Sequence, residues 1–592
     1  MNNIYVFVFL FVLLSISNFL SLKINIKKNH SYFLSCCIII LISFIFYYIQ
    51  KEYNLSILRY SIFFFYLLSI ILFLFIIKNL KKIDKNINLD FIIFFCFVFF
   101  LSESRYYLDQ DEFTYWGKSL KELLLLNEIS RYEYTHHPKG LDLFRYLVNF
   151  NNYKEGLVIF SNNILLISSF FYLFYERKLS IFDKFFLFLI YYLLLNNLSF
   201  GFVSIYSDPI LAIFFSCLLK FLYFFFVDNN KKKLNLVISF ILIFFSLLLI
   251  NRASPIYAFF SLFFLLIIVV NLIKKIFLKY IIFFIFLLLL ILLYDSFPTL
   301  VLKGSYSYDL VLKNLFNFFN NNFFSKDFLE LFTSPIYFSH FGALINGILN
   351  FFSFEDLIPE FQIPIYLYIF FLSLTIFFNF KYKFLIFFFS LSLILVFSIV
   401  VFILKFQIEK LMILALQRYI GILVLSIYIF YVAIINANYK KYYYNKFILI
   451  LFIVLIIIVT PKKTIGFFVS NKIYYSDLNN RIFKDNRDKI RKLKEEAKNF
   501  DNIILIHKNN FSDFSNNYQV TYHSFYNDII LYELFPKKIK LLDYSTFTYD
   551  SKYYFNVKDN IIFVIFYDLT LKEIEISMKK MSPQNFFIIN TY

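Results

Sequence analysis

Four cysteines, Cys36, Cys37, Cys96 and Cys217, are all that this chain of 592 residues contains, and each lies inside an apolar run. That placement offers no disulfide framework and no thiolate metal site, and leaves a role as small core hydrophobes. Other signatures are missing too. There is no His-Glu-x-x-His, no Cys-x-x-Cys and no glycine-rich phosphate loop, so neither a zinc protease nor a nucleotide-driven pump has a footing. Acidic charge is scarce: 39 Asp and Glu stand against 58 Lys and Arg, a net charge of +19. The lysines fall in short runs between apolar segments, which is a membrane-topology signal and no nucleic-acid footprint. No internal repeat is present, which argues against an inverted-repeat transporter.

What the chain does have is grease. Hydrophobic residues make up 60% and aromatics 24% of it, with a mean hydropathy of +0.69. A soluble fold cannot hide that much apolar surface, so the expected class is an all-α polytopic membrane protein. Fourteen spans are expected, near residues 4–22, 32–50, 58–77, 88–103, 156–175, 181–202, 208–227, 234–251, 254–273, 276–294, 363–380, 383–404, 418–437 and 446–460. The fourth is the weakest, being short and carrying Asp90.

Alternate connections are rich in cations: Lys23, Lys27 and Lys28, then Lys78, Lys81, Lys82 and Lys85, then Arg177, Lys178 and Lys184, then Lys231 to Lys233. The same alternation continues at Lys274, Lys275 and Lys279, at Lys381 and Lys383, and at Lys440, Lys441 and Lys446. The positive-inside bias puts these in the cytoplasm and the amino terminus outside. Residues 1–22 read as a retained span, since no basic region precedes and no small-residue cleavage site follows. The segments 103–155, 295–362 and 461–592 then fall outside. The expected division is a membrane module over 1–460 and a small extracytoplasmic α/β domain over 461–592, in which 502–507 and 560–566 have the length and branched residues of buried strands.

The first outer loop is the most polar part of the membrane body. Asp109-Gln-Asp111-Glu112 is followed by Phe113, Tyr115, Trp116 and Lys118, and then by His136-His137-Pro138-Lys139-Gly140. Asp109 and Glu112 have the spacing of a capping box. Phe113, Trp116, Leu120 and Leu123 share one helical face, opposite Lys118, Lys121 and Glu122, the pattern of a helix lying on a membrane surface. A second amphipathic helix carries Leu141, Phe144 and Val148 on one face. Capping accounts for the first helix but leaves Asp111 unused.

The order of a span, Asp111-Glu-Phe-Thr-Tyr-Trp116 and then His137-Pro-Lys-Gly140 resembles the polytopic glycosyltransferases of the GT-C superfamily. That group includes protein O-mannosyltransferases and aminoarabinose transferases. The resemblance is carried by this loop, and the chain departs from it in having Lys139 after Pro138. It implies an inverting transfer of a sugar from a polyprenyl-phosphate donor to a lipid, glycan or protein acceptor, in a bacterial inner membrane. Asp111 would be the catalytic base and Glu112 the second choice, or both would hold a divalent cation (Mg or Mn) where one is used. Guanidinium forks suit a phosphate, so Arg418 and then Arg252 are expected on the leaving group, with His136, His137 and Lys139 nearby. Asp109, Tyr115, Trp116, Asp208 and Tyr419 are further candidates. Asp208 can equally be a helix cap ahead of Pro209, and Lys139 can equally be an interfacial lysine. An O-antigen-type polymerase or ligase, and a flippase of lipid-linked sugars, are the competing readings.

The charge alternation has a direct test. A cysteine placed at Lys81 should react with an impermeant maleimide only after the membrane is opened, and one at Ser130 should react in intact cells. The reverse pattern would overturn the orientation.

Overall fold

A computed structural model describes residues 4–53, 57–103, 105, 107, 117–126, 140–149, 153–175, 179–196, 207–227 and 233–250. It also describes four strands, the turn at 531–535, and isolated helical residues within 254–265, 422–434 and 491–495. The other spans expected beyond 250, the segment 295–362 and most of the first outer loop lie outside the described residues.

The described helices are α1 (Ile4–Lys23), α2 (Lys28–Tyr53), α3 (Leu58–Ile77), α4 (Lys85–Ser102), α5 (Gly117–Leu126), α6 (Gly140–Val148), α7 (Glu155–Leu173), α8 (Ile181–Asn196), α9 (Asp208–Val227) and α10 (Lys233–Leu248). Six of them, α1, α2, α3, α4, α7 and α9, contain stretches long and apolar enough to cross a membrane. The weak fourth span is a full helix of 18 residues, starting at Lys85, whose first turn is capped by Asp84 accepting from Ile87 N at 3.3 Å.

By contacts the chain divides into two units, Met1–Tyr106 with Ile129–Ile465, and Tyr107–Glu128 with Gly466–Tyr592. In the first, α2 packs against α1, α6, α7 and α10, while α7 also packs against α4 and α9. Rings interlock the helices. Phe91 stacks on Tyr32 at 4.0 Å and Phe94 on Phe185 at 4.4 Å, pairs that each contribute about 0.5–1.5 kcal/mol beyond their burial. Buried serines return their hydroxyls to the preceding turn, as Ser35 does to Ser31 O and Ser43 to Ile39 O. A hydroxyl among apolar helices is otherwise left without a partner. On α3 the pattern is turned outward: Tyr60, Phe63, Leu67, Ile70, Ile71 and Leu74 form an exposed stripe. An apolar face of that length suits lipid and not water.

Interhelical bonds sort the helix ends. Lys28 Nζ donates to Ser17 Oγ, Asn88 bonds both Asn18 and Tyr32, Asn29 donates to Tyr175 O, and Lys184 pairs with Asp90 at 2.7 Å. These contacts gather one end each of α1, α2, α4, α7 and α8, together with Lys28 and Lys184. We call this the lysine-rich end. The opposite end is where α4 finishes and α7 begins.

Both helices expected in the first outer loop form, but neither has the half-exposed pattern of a surface-lying helix. Every residue of α6 is buried, and Lys121 and Glu122 of α5 are only 5% and 6% exposed. Lys121, Asp142 and Arg145 find protein partners, so burying them costs less than amphipathicity alone suggests. Lys220 stands inside the apolar helix α9. It is buried within α9 and donates to Tyr172 O and Leu173 O, taking carbonyls that the C-terminal turn of α7 leaves open.

The second unit contains a four-stranded parallel sheet in the order β2-β1-β3-β4, with β1 Asn502–His507, β2 Lys538–Asp543, β3 Ile561–Phe566 and β4 Phe586–Thr591. His507 is in register with Asp543 on one side and Phe566 on the other. The order reverses direction between β1 and β3.

The seam of α4 and α7 depends on Gly156. A Cβ there would stand 2.3 Å from Glu103 O and 2.6 Å from Ser102 O, both backbone atoms. Gly156→Ala should therefore push the helices apart and cost about 1–3 kcal/mol, read as a lower midpoint in detergent-solubilised thermal unfolding. An unchanged midpoint would show that the seam has slack.

Candidate functional site

The end of the first unit that flanks the first outer loop holds a buried polar cluster built from α4, α6 and α7. Asn162 and Asn163 follow Ser161 in α7, and the three lie within an otherwise apolar helix. Asn163 Nδ2 donates to Ser102 Oγ at 2.6 Å, tying α7 to the last turn of α4. Arg145, fully buried in α6, donates from Nε to Asn162 Oδ1 at 3.1 Å and pairs through Nη1 with Asp142 at 3.2 Å. Asn149 Nδ2 donates to Arg145 O at 2.8 Å and closes the end of α6. Arg105, just past α4 and also buried, donates from Nε to Leu101 O at 2.7 Å.

The physical logic is that of a buried charge. An arginine keeps its proton in almost any surroundings, so burial must be met with an opposite charge and hydrogen bonds. Asp142, three residues earlier on the same helix face, supplies the charge. Asn162 fixes the guanidinium plane from the neighbouring helix. The result is a cation and several amide dipoles held in place at one end of an apolar bundle, where electrostatic interactions are stronger than in water. Next to them on α6, burial pushes the Tyr146 phenol up to about 12, with Arg59 pulling the other way. It stays a neutral hydroxyl across the physiological range.

Gly140 is the first residue of α6. Its amide donates to Leu249 O at 3.0 Å, and a Cβ would meet Leu249 Cβ at 2.5 Å. The N-terminus of α6 is thereby pinned against the last turn of α10.

Among the residues expected to carry chemistry, Asp208 is described. It is fully buried and is the first helical residue of α9. Ser207 O accepts from Leu211 N at 2.8 Å, so the capping position belongs to Ser207, with Pro209 in the first turn. Asp109, Asp111, Glu112, Tyr115, Trp116, His136, His137, Lys139, Arg252, Arg418 and Tyr419 lie outside the described residues. Among the described residues no group of three His, Cys, Asp or Glu side chains is arranged to hold a metal.

Sequence reasoning passed over Arg145, Asp142, Asn162 and Asn163. The signal was present, as Asp-x-x-Arg on one helix and Ser-Asn-Asn inside a span, but hydropathy averaging hides a short polar run. Compared with protein-family models, curated proteins and solved structures, the chain matches none.

Removing the arginine alone strands Asp142 as a buried charge. Arg145→Met should cost about 3–5 kcal/mol, and adding Asp142→Leu should recover most of it. Chemical or thermal unfolding of the single and double variants checks this, and equal losses in both would deny the pair its role.

Proposed function

We propose that this chain is an integral membrane glycosyltransferase of GT-C type, taking a sugar from a polyprenyl-phosphate donor. The observation that carries the reading is the buried network of Ser102, Asn163, Arg145, Asp142 and Asn162. It joins the two flanks of the loop whose Asp111-Glu-Phe-Thr-Tyr-Trp116 and His137-Pro-Lys-Gly140 resemble that superfamily. A reaction on a lipid-bound donor needs polar groups held rigidly at the end of an apolar bundle, beside a carboxylate that can accept a proton. This architecture meets the first requirement, and the loop sequence meets the second.

In this reading fourteen spans form the body, the lysine-rich end faces the cytoplasm, and the loop and the C-terminal unit lie on the outer face of a bacterial inner membrane. Asp111 takes the proton of an acceptor hydroxyl as its oxygen bonds to the anomeric carbon. The bond from that carbon to the phosphate oxygen breaks, the configuration inverts, and the lipid phosphate leaves with the electron pair. Arg418, Arg252, His136, His137 and Lys139 are the groups suited to stabilise its charge. A divalent cation, if used, would sit on Asp111 and Glu112. The acceptor class is a lipid, a glycan or a protein.

The test is sugar transfer or donor hydrolysis by purified protein in lipid, over a panel of polyprenyl-phosphate sugars. Wild type should turn over at least one donor, and Asp111→Asn should lose about a hundredfold or more in rate with its unfolding midpoint retained. Equal rates would move the base to Glu112. Movement of the sugar lipid across the bilayer without turnover would instead favour a flippase.

A further inference from the structure

The lysines of the first unit fall into two kinds. Lys28, Lys184 and Lys220 are buried and bonded to protein groups. Lys78, Lys81, Lys82 and Lys85, in the short connection from α3 to α4, are exposed. Among the described residues, the side chain of none of these four has a hydrogen bond or ion pair to a protein group. The connection itself is a fixed turn. Residues Leu80–Lys82 are 3-10 helical, Lys82 N donates to Asn79 O at 2.9 Å, and Asp84 caps α4 through Ile87 N. Membrane topology asks for cations on this side, but it does not ask for four unbonded ones on a single rigid turn.

The four lysines also stand at the foot of two lipid-facing stripes. On α3 the exposed Leu67, Ile70, Leu74 and Ile77 recur every three or four positions. Lys78 follows Leu74 by four and keeps a helical backbone, with φ −63° and ψ −17°, so it continues the same face. On α4 the exposed stripe is Leu89, Ile93, Phe97 and Phe100, and Lys85 precedes Leu89 by one turn. Rings of α1 touch both helices: Phe11 and Phe19 meet Phe73 and Phe75 of α3, and Phe7 meets Phe99 of α4. Lys23 of α1, also exposed, lies 4.8 Å over the Phe75 ring and adds its charge beside the turn. Lys85 is the first residue of α4, where the positive end of a helix dipole disfavours a cation. An anion seated there offsets both charges.

We propose that this end of α3 and α4 binds an anionic phospholipid, with its phosphate on Lys78, Lys81, Lys82 and Lys85 and its acyl chains on the stripes that end there. Charge complementarity selects the headgroup. A zwitterionic lipid brings its own cation next to the phosphate, whereas phosphatidylglycerol brings none. Each lysine near an anionic lipid surface is worth about fivefold in affinity, so four on one turn distinguish the two lipids strongly. The apolar stripes select a lipid over a soluble phosphate, because its chains cover surface that suits no polar ligand. The site is independent of the glycosyltransferase reading.

Tryptophan quenching by chain-brominated lipids tests this on the full-length protein in nanodiscs. Trp116→Phe removes the one tryptophan of the chain. In that background Leu74→Trp puts a reporter on the α3 stripe beside the lysines, and Phe100→Trp puts one at the far end of the α4 stripe. Both positions are exposed, at 58% and 73%. Brominated phosphatidylglycerol diluted into phosphatidylcholine should quench the Leu74→Trp protein as if enriched about fivefold or more over its bulk fraction. Brominated phosphatidylcholine at the same fraction should show no enrichment, and the Phe100→Trp protein should not distinguish the two lipids. Changing Lys78, Lys81, Lys82 and Lys85 to Gln should abolish the enrichment and keep the unfolding midpoint, since these side chains bond to no protein group. Changing them to Arg should retain the enrichment. Equal quenching of the Leu74→Trp protein by both lipids overturns the proposal, as does enrichment that survives the four Gln substitutions. Equal enrichment at Phe100→Trp overturns it too, because that marks a general attraction to the bilayer and no site. Loss of the enrichment in excess inorganic phosphate at constant ionic strength would assign the lysines to a soluble anion and overturn the lipid.

Discussion

The contact of α7 with the end of α4 sets the geometry of the buried polar cluster on α4, α6 and α7. Gly156 lets the two backbones meet where a side chain would collide with the Ser102 and Glu103 carbonyls. Only at that separation does Asn163 reach Ser102. Asn162, one residue away, then faces Arg145. The buried arginine, its aspartate and the burial of α6 follow from that approach. In apolar surroundings a polar side chain has few places to go, so one bond made between helices dictates the next.

The same rule accounts for the lysine-rich end. Lys28, Lys184 and Lys220 are each buried, and each is met by a hydroxyl, a carboxylate or a helix-terminal carbonyl. The first unit is therefore an apolar body with two polar ends of different chemistry. One end is built from ammonium groups that complete helix termini. The other holds a guanidinium fixed by a carboxylate and an amide.

The two helices of the outer loop show how a sound sequence pattern can mislead about place. The alternation in Gly117–Leu126 and Gly140–Val148 is truly amphipathic. A pattern states that one face prefers apolar neighbours, and it is silent on whether the polar face meets water or another protein group. Here Lys121 meets the Tyr532 carbonyl and Arg145 meets Asn162, so both helices are buried. Partners hundreds of residues away, as Tyr532 is from Lys121, leave no local trace.

What the amino-acid order decided alone is the periodic and the local. Apolar length set the helices from α1 to α4 and from α7 to α10, because a helix satisfies its own backbone whatever surrounds it. Branched residues between polar flanks marked the strands at Asn502–His507 and Ile561–Phe566, because extended backbone favours such side chains wherever it lies. What only the tertiary structure decided is pairing. That Arg145 belongs with Asn162, that Lys220 closes α7, and that Tyr532 holds both Tyr107 and Lys121 depend on which surfaces meet. Those meetings are fixed by close packing between distant segments, and no window along the chain contains both partners.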